Sequence, residues 1–174
     1  MPEDAVNPAD AYRALMFKLA GEGDPSEALL AGPGELRRVV QSAGADLRRR
    51  PADGEWSVIE LVGHMVDVEV VLGYRMRDIL ARDGAPLAAF DQDAWVTAQR
   101  YAEAEPAPLL AAIEGLRPAT VSLYRGASEL ERARVGQHSE RGPESFETIY
   151  RLLAGHDRFH MDQVTATLAA VRGA

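Results

Sequence analysis

A chain of 174 residues, 47% hydrophobic and 26% charged, has the balance of one soluble globular domain, 1–174, and is short for two of typical size. The net charge of -8 sets a repulsive field against a phosphate backbone and argues against a nucleic-acid partner. No cysteine is present, which excludes disulfides, thiolate metal sites and a cysteine nucleophile, so any metal must be held by nitrogen and oxygen.

In chain order, Met1 to Asp10 carries acids where a signal peptide needs positive charge, and no apolar run reaches the roughly 18 residues of a membrane span. A cytoplasmic protein without a membrane partner is expected. Tyr12, Leu15, Met16 and Leu19 follow helical spacing over Ala9–Ala20, a peripheral lead-in helix within residues 1–23 that the Gly21–Pro25 run ends. After a short piece from Ser26 to Ala31, Gly32-Pro33-Gly34 opens a helix from Glu35 to about Arg49, stopped by Pro51. Trp56-Ser57-Val58-Ile59-Glu60-Leu61 has the form of a capping box, with Trp56 stapled onto Leu61, and starts a helix to about Arg82. Leu87 to Glu105 reads as a crossover with a short helix around Trp95 to Tyr101. A third long helix spans Pro108 to Arg125, with a kink expected at Pro118. Gly126 to Pro143 reads as a polar connection, and the last helix runs from a Ser145 cap to about Val171. No period-two run long enough for a strand is evident, so the fold class is all-α with four main helices.

The stripe of the last helix reads Ile149, Leu153, His156, His160, Val164, Leu168, Val171, which puts two histidines at core positions. Four residues apart, their Cβ atoms lie roughly 6 Å from each other on one face. Two imidazoles so placed can share a metal at the ~2.0–2.1 Å bonds zinc prefers. His64 lies near the inward face of the capped helix. A lone inward histidine is ordinarily a satisfied core residue; HxxxH with a separate inward histidine favours a metal. Gly63 and Gly155 directly precede His64 and His156, and two mid-helix glycines there indicate either close helix approach or room around a bound group. Glu60, Asp67 and Gln163 lie one turn from these histidines and are candidates to hold their second ring nitrogens, although the cap already uses Glu60. Three protein ligands leave coordination positions open, as in catalytic sites, and both hydrolysis and thiol transfer would fit. Asp157 occupies the place of the HExxH glutamate and is a weak general-base candidate, being one methylene shorter. A di-iron bundle fails, because Glu60 and His64 are four apart and the last helix has no ExxH.

The runs Gly54-Glu55-Trp56-Ser57-Val58-Ile59-Glu60-Leu61-Val62-Gly63-His64-Met65-Val66-Asp67-Val68-Glu69 and Leu153-Ala154-Gly155-His156-Asp157-Arg158-Phe159-His160-Met161-Asp162-Gln163, with the Phe90–Trp95 crossover, resemble the DinB/YfiT-like superfamily of metalloenzymes. The resemblance covers the chain from about Asp24 onward. It implies an up-down-down-up four-helix bundle, often dimeric, with a nickel or zinc ion held by His64, His156 and His160. It also implies a small-molecule substrate and an activity of either low-molecular-weight-thiol transfer or metal-dependent hydrolysis. The alternative is a non-catalytic, stress-related bundle whose metal is structural or absent.

Other residues have plainer readings. His138 is either a substrate contact over the metal mouth or a surface loop residue, the latter favoured. Trp56 is accounted for by the staple and Trp95 by crossover packing. Arg48, Arg49 and Arg50 read as a solvated helix end. Arg75 is a candidate for an anionic group, with a salt bridge at the bundle rim preferred.

Overall fold

In a computed structural model that describes residues 8–173, the chain forms seven α-helices and a small three-stranded sheet. Residues 1–7 and 174, the ends of the expected domain, lie outside the described residues. The helices are α1 (Pro8–Ala20), α2 (Ser26–Ala43), α3 (Val58–Ala81), α4 (Gln92–Ala98), α5 (Pro106–Gly126), α6 (Glu129–Arg132) and α7 (Phe146–Gly173). The strands are β1 (Pro86–Leu87), β2 (Val135–His138) and β3 (Gly142–Ser145).

Local chemistry sets the helix starts. At α3 the Glu60 carboxylate accepts from the Ser57 amide at 2.9 Å and from its hydroxyl at 2.6 Å. At α7 the Ser145 hydroxyl accepts from the Thr148 amide at 3.0 Å. Two regions depart from the sequence reading. α2 is one helix through Gly32-Pro33-Gly34, not a short piece followed by a helix. Pro33 lacks the N–H that would bond the Leu29 carbonyl, but that carbonyl accepts instead from Arg117 Nη1 at 3.1 Å. α5 likewise runs on through Pro118, which stands on its exposed face. The polar connection, in turn, contains a sheet, with β1 parallel to β2 and β2 antiparallel to β3. Such short strands cannot display a period-two pattern.

α2, α3, α5 and α7 make the bundle. α2 packs on α5 and α7, and α3 packs on the same two, so the sequence neighbours α2 and α3 face each other across the diagonal. Two apolar clusters fill the interior and reveal the helix directions. α2 passes from the cluster holding Leu29 to the one holding Leu36 and Val40, and α7 goes the same way, from Ile149 and Leu153 to Val164 and Leu168. α3 and α5 run oppositely, from Leu61 to Met76 and from Leu110 to Tyr124. The order is up-down-down-up. Its parallel α3–α5 step needs a long crossover, supplied by β1, α4 and the single turn Tyr101–Glu103.

A charged group lies within the bundle. Arg117 of α5, 1% exposed, donates to Glu69 of α3 and to Asp157 of α7, both at 2.8 Å, as well as to Leu29 of α2. Thr120 adds a bond to Glu69 at 2.9 Å. Removing the guanidinium would strand two buried carboxylates, so Arg117→Met should destabilise the protein by about 3–5 kcal/mol, read from its denaturant midpoint.

α1 is not peripheral. Met16 is buried in the core, and a Cβ on Gly155 would stand 2.0 Å from the Met16 carbonyl oxygen. A Cβ on Gly63 would stand 2.3 Å from the Tyr101 ring. Both glycines therefore serve close approach of a neighbouring element. Gly155→Ala should cost about 1–3 kcal/mol and loosen α1 to proteolysis. Gly115→Ala, at an exposed position of α5 with nothing within 4 Å of the new methyl, should stabilise by about 0.5–1 kcal/mol in the same denaturation assay.

Candidate metal centre

His64 sits in the second turn of α3, and His156 and His160 occupy successive turns of α7, the helix that packs against α3. All three are buried, and one ring nitrogen from each lies within 4.8 Å of the others. The ring centroids are 5.0 Å apart for His64–His156, 4.7 Å for His64–His160 and 4.2 Å for His156–His160. His64 Nε2 and His156 Nε2 are 3.1 Å apart. Nitrogens sharing a tetrahedral ion at bonds of about 2.0–2.1 Å stand about 3.4 Å apart, so this donor set fits a divalent metal ion.

Electrostatics favour the ligating form. Burial, helped by the neighbouring His160, pushes His64 down to about 3. Burial likewise takes His160 to about 4 and His156 well below the usual histidine range. All three imidazoles are neutral at physiological pH, with lone pairs available. Gln163 Oε1 lies 2.8 Å from His160 Nδ1, which fixes the His160 ring with Nε2 turned inward. Trp56 packs its ring on His64 at 5.0 Å, a contact beyond the staple expected of it.

The other sequence candidates go elsewhere. Glu60 serves the α3 cap and Arg50. Asp67 accepts from Tyr101 Oη at 2.7 Å and Gln99 Nε2 at 2.9 Å, bracing the crossover rather than a histidine. Asp157 is tied to Arg117 in the bundle interior. His138 is not a surface residue. Buried in β2, it accepts at Nδ1 from the Glu140 and Arg141 amides at 3.2 and 3.3 Å, apart from the three-histidine group. Trp95 packs on Phe90, 5.0 Å between centroids. Arg48 and Arg49 pair with Glu105 and Asp46 at the surface. Among the described residues, the rim salt bridge expected of Arg75 does not form. Its guanidinium is buried and donates to the Ala88 carbonyl.

The histidines border a cavity of about 610 Å³, within the size range of small-molecule sites. Its walls include Tyr12 and Met16 of α1, Phe90 of the crossover, and Phe159 of α7. Sequence reasoning missed these wall residues. The nearest signal was Gly155, whose missing side chain admits α1.

The sequence pattern of the DinB superfamily matches residues 28–164. The chain belongs to the DinB superfamily. Among solved structures, this DinB protein is similar to YfiT from Bacillus subtilis, described as a probable metal-dependent hydrolase with an unusual four-helix bundle topology. The TM-score is 0.77 at 20% identity, over 99% of this chain and 93% of the other, a likeness of fold. Among curated proteins none matches. The matched segment contains all three histidines, whereas α1 lies outside it. No helix among the described residues is long and apolar enough to cross a membrane.

The depressed histidines make stability depend on pH. Unfolded histidines titrate near about 6.5, so below that pH the unfolded chain binds protons that the folded metal-free chain refuses. Stability present above about pH 6.5 is therefore lost as the pH falls toward the folded values. The melting temperature of metal-free protein should drop between about pH 7 and about pH 5, and the drop should be shallower in His64→Leu. Equal slopes would contradict this account.

Proposed function

We propose that His64, His156 and His160 hold a divalent ion, zinc or nickel, and that this DinB protein is an enzyme acting on a small molecule in the adjoining cavity. The observation that carries this reading is the convergence of three buried, neutral imidazoles on the wall of a cavity of about 610 Å³. The nitrogen-only donor set suits both metals. When bound, such an ion supplies Lewis acidity that lowers the pKa of a water or thiol.

The chain's own residues do the rest. Gln163 orients His160, and Trp56 and Phe159 pack on the ring faces and edges of His64 and His160. Asp157 is held by Arg117, so in this reading it does not accept the proton. Hydrolysis is the first chemistry to assay, given how the YfiT fold neighbour is described. Thiol transfer is the second, and with no cysteine in the chain the thiol must come from a low-molecular-weight co-substrate.

Elemental analysis of protein purified without chelator should find one equivalent of zinc or nickel per chain, lost in His64→Ala and His156→Ala. Gln163→Ala should weaken metal affinity by about 10–100-fold. Ester hydrolysis or thiol-transfer activity should vanish on chelation and return with metal. Folded wild-type protein that neither carries nor takes up metal sinks the proposal. Strong thermal stabilisation by metal without turnover of any substrate would favour the structural, stress-related role.

A further inference from the structure

Arg75 is the one buried guanidinium on this cavity's wall, and it has no carboxylate partner among the described residues. It is 3% exposed. Of its five N–H donors, one bonds the Ala88 carbonyl, and it takes part in no ion pair among the described residues. Arg117, buried still more deeply, is by contrast bound to two carboxylates. A buried cation left in this state is destabilising unless something pairs with it.

The described residues around it do not supply that partner. Arg141, also on the cavity wall, is held by Glu144 at 2.6 and 3.0 Å, and Glu144 attracts the Arg75 charge without forming an ion pair with it. Glu140 reaches the same wall from an exposed position and makes no ion pair with Arg75. Tyr12 contributes a half-covered phenol whose ring lies 6.0 Å from the Arg141 guanidinium carbon. Burial and the neighbouring Arg141 push Arg75 down to about 10, which leaves it cationic at neutral pH.

Position relates this cation to the histidines. His64 and Arg75 are both on α3, eleven residues apart, close to three full turns, so they share a face about 16 Å apart along the axis. Both border the same cavity, with the Arg75 guanidinium anchored on the Ala88 carbonyl at the end away from His64. Between them the wall is apolar, with Val68, Leu72, Leu152 and Phe90.

We propose that the cavity selects a small amphipathic carboxylic acid, its carboxylate on Arg75, its apolar body along Val68, Leu72 and Leu152, and its reacting end at the three histidines. One guanidinium without a carboxylate partner among the described residues matches a planar, singly charged carboxylate. A doubly charged phosphate would need the second cation that Glu144 already occupies. This substrate class rests on the cavity being the active site, as proposed above, but the anion seat does not require the metal.

The test uses the full-length protein as purified, with octanoate and octanamide as probes in calorimetric titration. Octanoate should bind and octanamide should bind at least about tenfold more weakly, since a charge-assisted pair is lost. Arg75→Met should erase that preference and Arg75→Lys should retain part of it, each with wild-type circular dichroism. Protein stripped of metal by a chelator should keep octanoate binding, which separates the anion seat from direct carboxylate coordination to a metal. Equal binding of acid and amide, or undiminished octanoate binding in Arg75→Met, overturns the proposal. Should Arg75→Met fail to fold, the acid–amide comparison on the wild type and on Arg75→Lys decides it. Arg75-dependent octanoate binding in protein that never takes up metal would uphold the seat while refuting the metal reading.

Discussion

The bundle depends on one guanidinium. Arg117 projects from α5 and hydrogen-bonds α2, α3 and α7, the three other helices of the bundle. A buried charge is tolerable only when its partners are complete, and here the sequence of every helix is adapted to complete them. Pro33 frees the Leu29 carbonyl to accept from Nη1. Gly32 leaves space for Asp157, whose Oδ2 would stand 2.7 Å from a Cβ there. Thr120 takes the second oxygen of Glu69. Because each bond is directional, the group sets the rotation and height of four helices relative to one another, which apolar packing alone specifies weakly.

The histidines share the level of that group. His156 precedes Asp157, and His64 lies five residues before Glu69, so the side chains that lock α3 and α7 to Arg117 also fix the rings that face each other across the helix pair. Along α7 the two histidines fall between Ala154 of one apolar cluster and Met161 of the other. Flanked by apolar layers, three imidazoles lose their protons through desolvation rather than through any strong base, and Arg117 adds a small push in the same direction at His156. The result is a preformed set of neutral nitrogen donors.

Around this bundle, the cavity is built from less regular parts. α1, outside the segment that matches the superfamily, closes one wall through Tyr12 and Met16, and Gly155 is what lets it come close. The crossover contributes Phe90, and the hairpin of β2 and β3 brings Arg141. The bundle helices thus carry the histidines, while α1, the crossover and the hairpin supply the walls that shape what the site meets.

Much of this was legible in the sequence. A helix reports its buried face through period 3.6, so the stripe of α7 displayed His156 and His160 as inward residues, and the Ser57–Glu60 signature located the start of α3. His156, His160 and Gln163 as a support could be named from i, i+3 and i, i+4 relations, which are local, whereas His64 joined them through its own inward face and the resemblance to the DinB/YfiT-like superfamily. What lay beyond local spacing was read less well. Asp157 and Asp67 sit one residue or one turn from histidines yet bind Arg117 and Tyr101, His138 is buried in a strand too short to have a period, and Arg75 lacks the salt bridge that its place near the rim suggested. Periodicity and composition alone establish four main helices, their inward faces and the nitrogen-only donor set. Which charges pair, and which is left facing the cavity, is settled by packing, because a side chain's partner depends on helices distant in sequence, and periodicity within one helix carries no record of its neighbour.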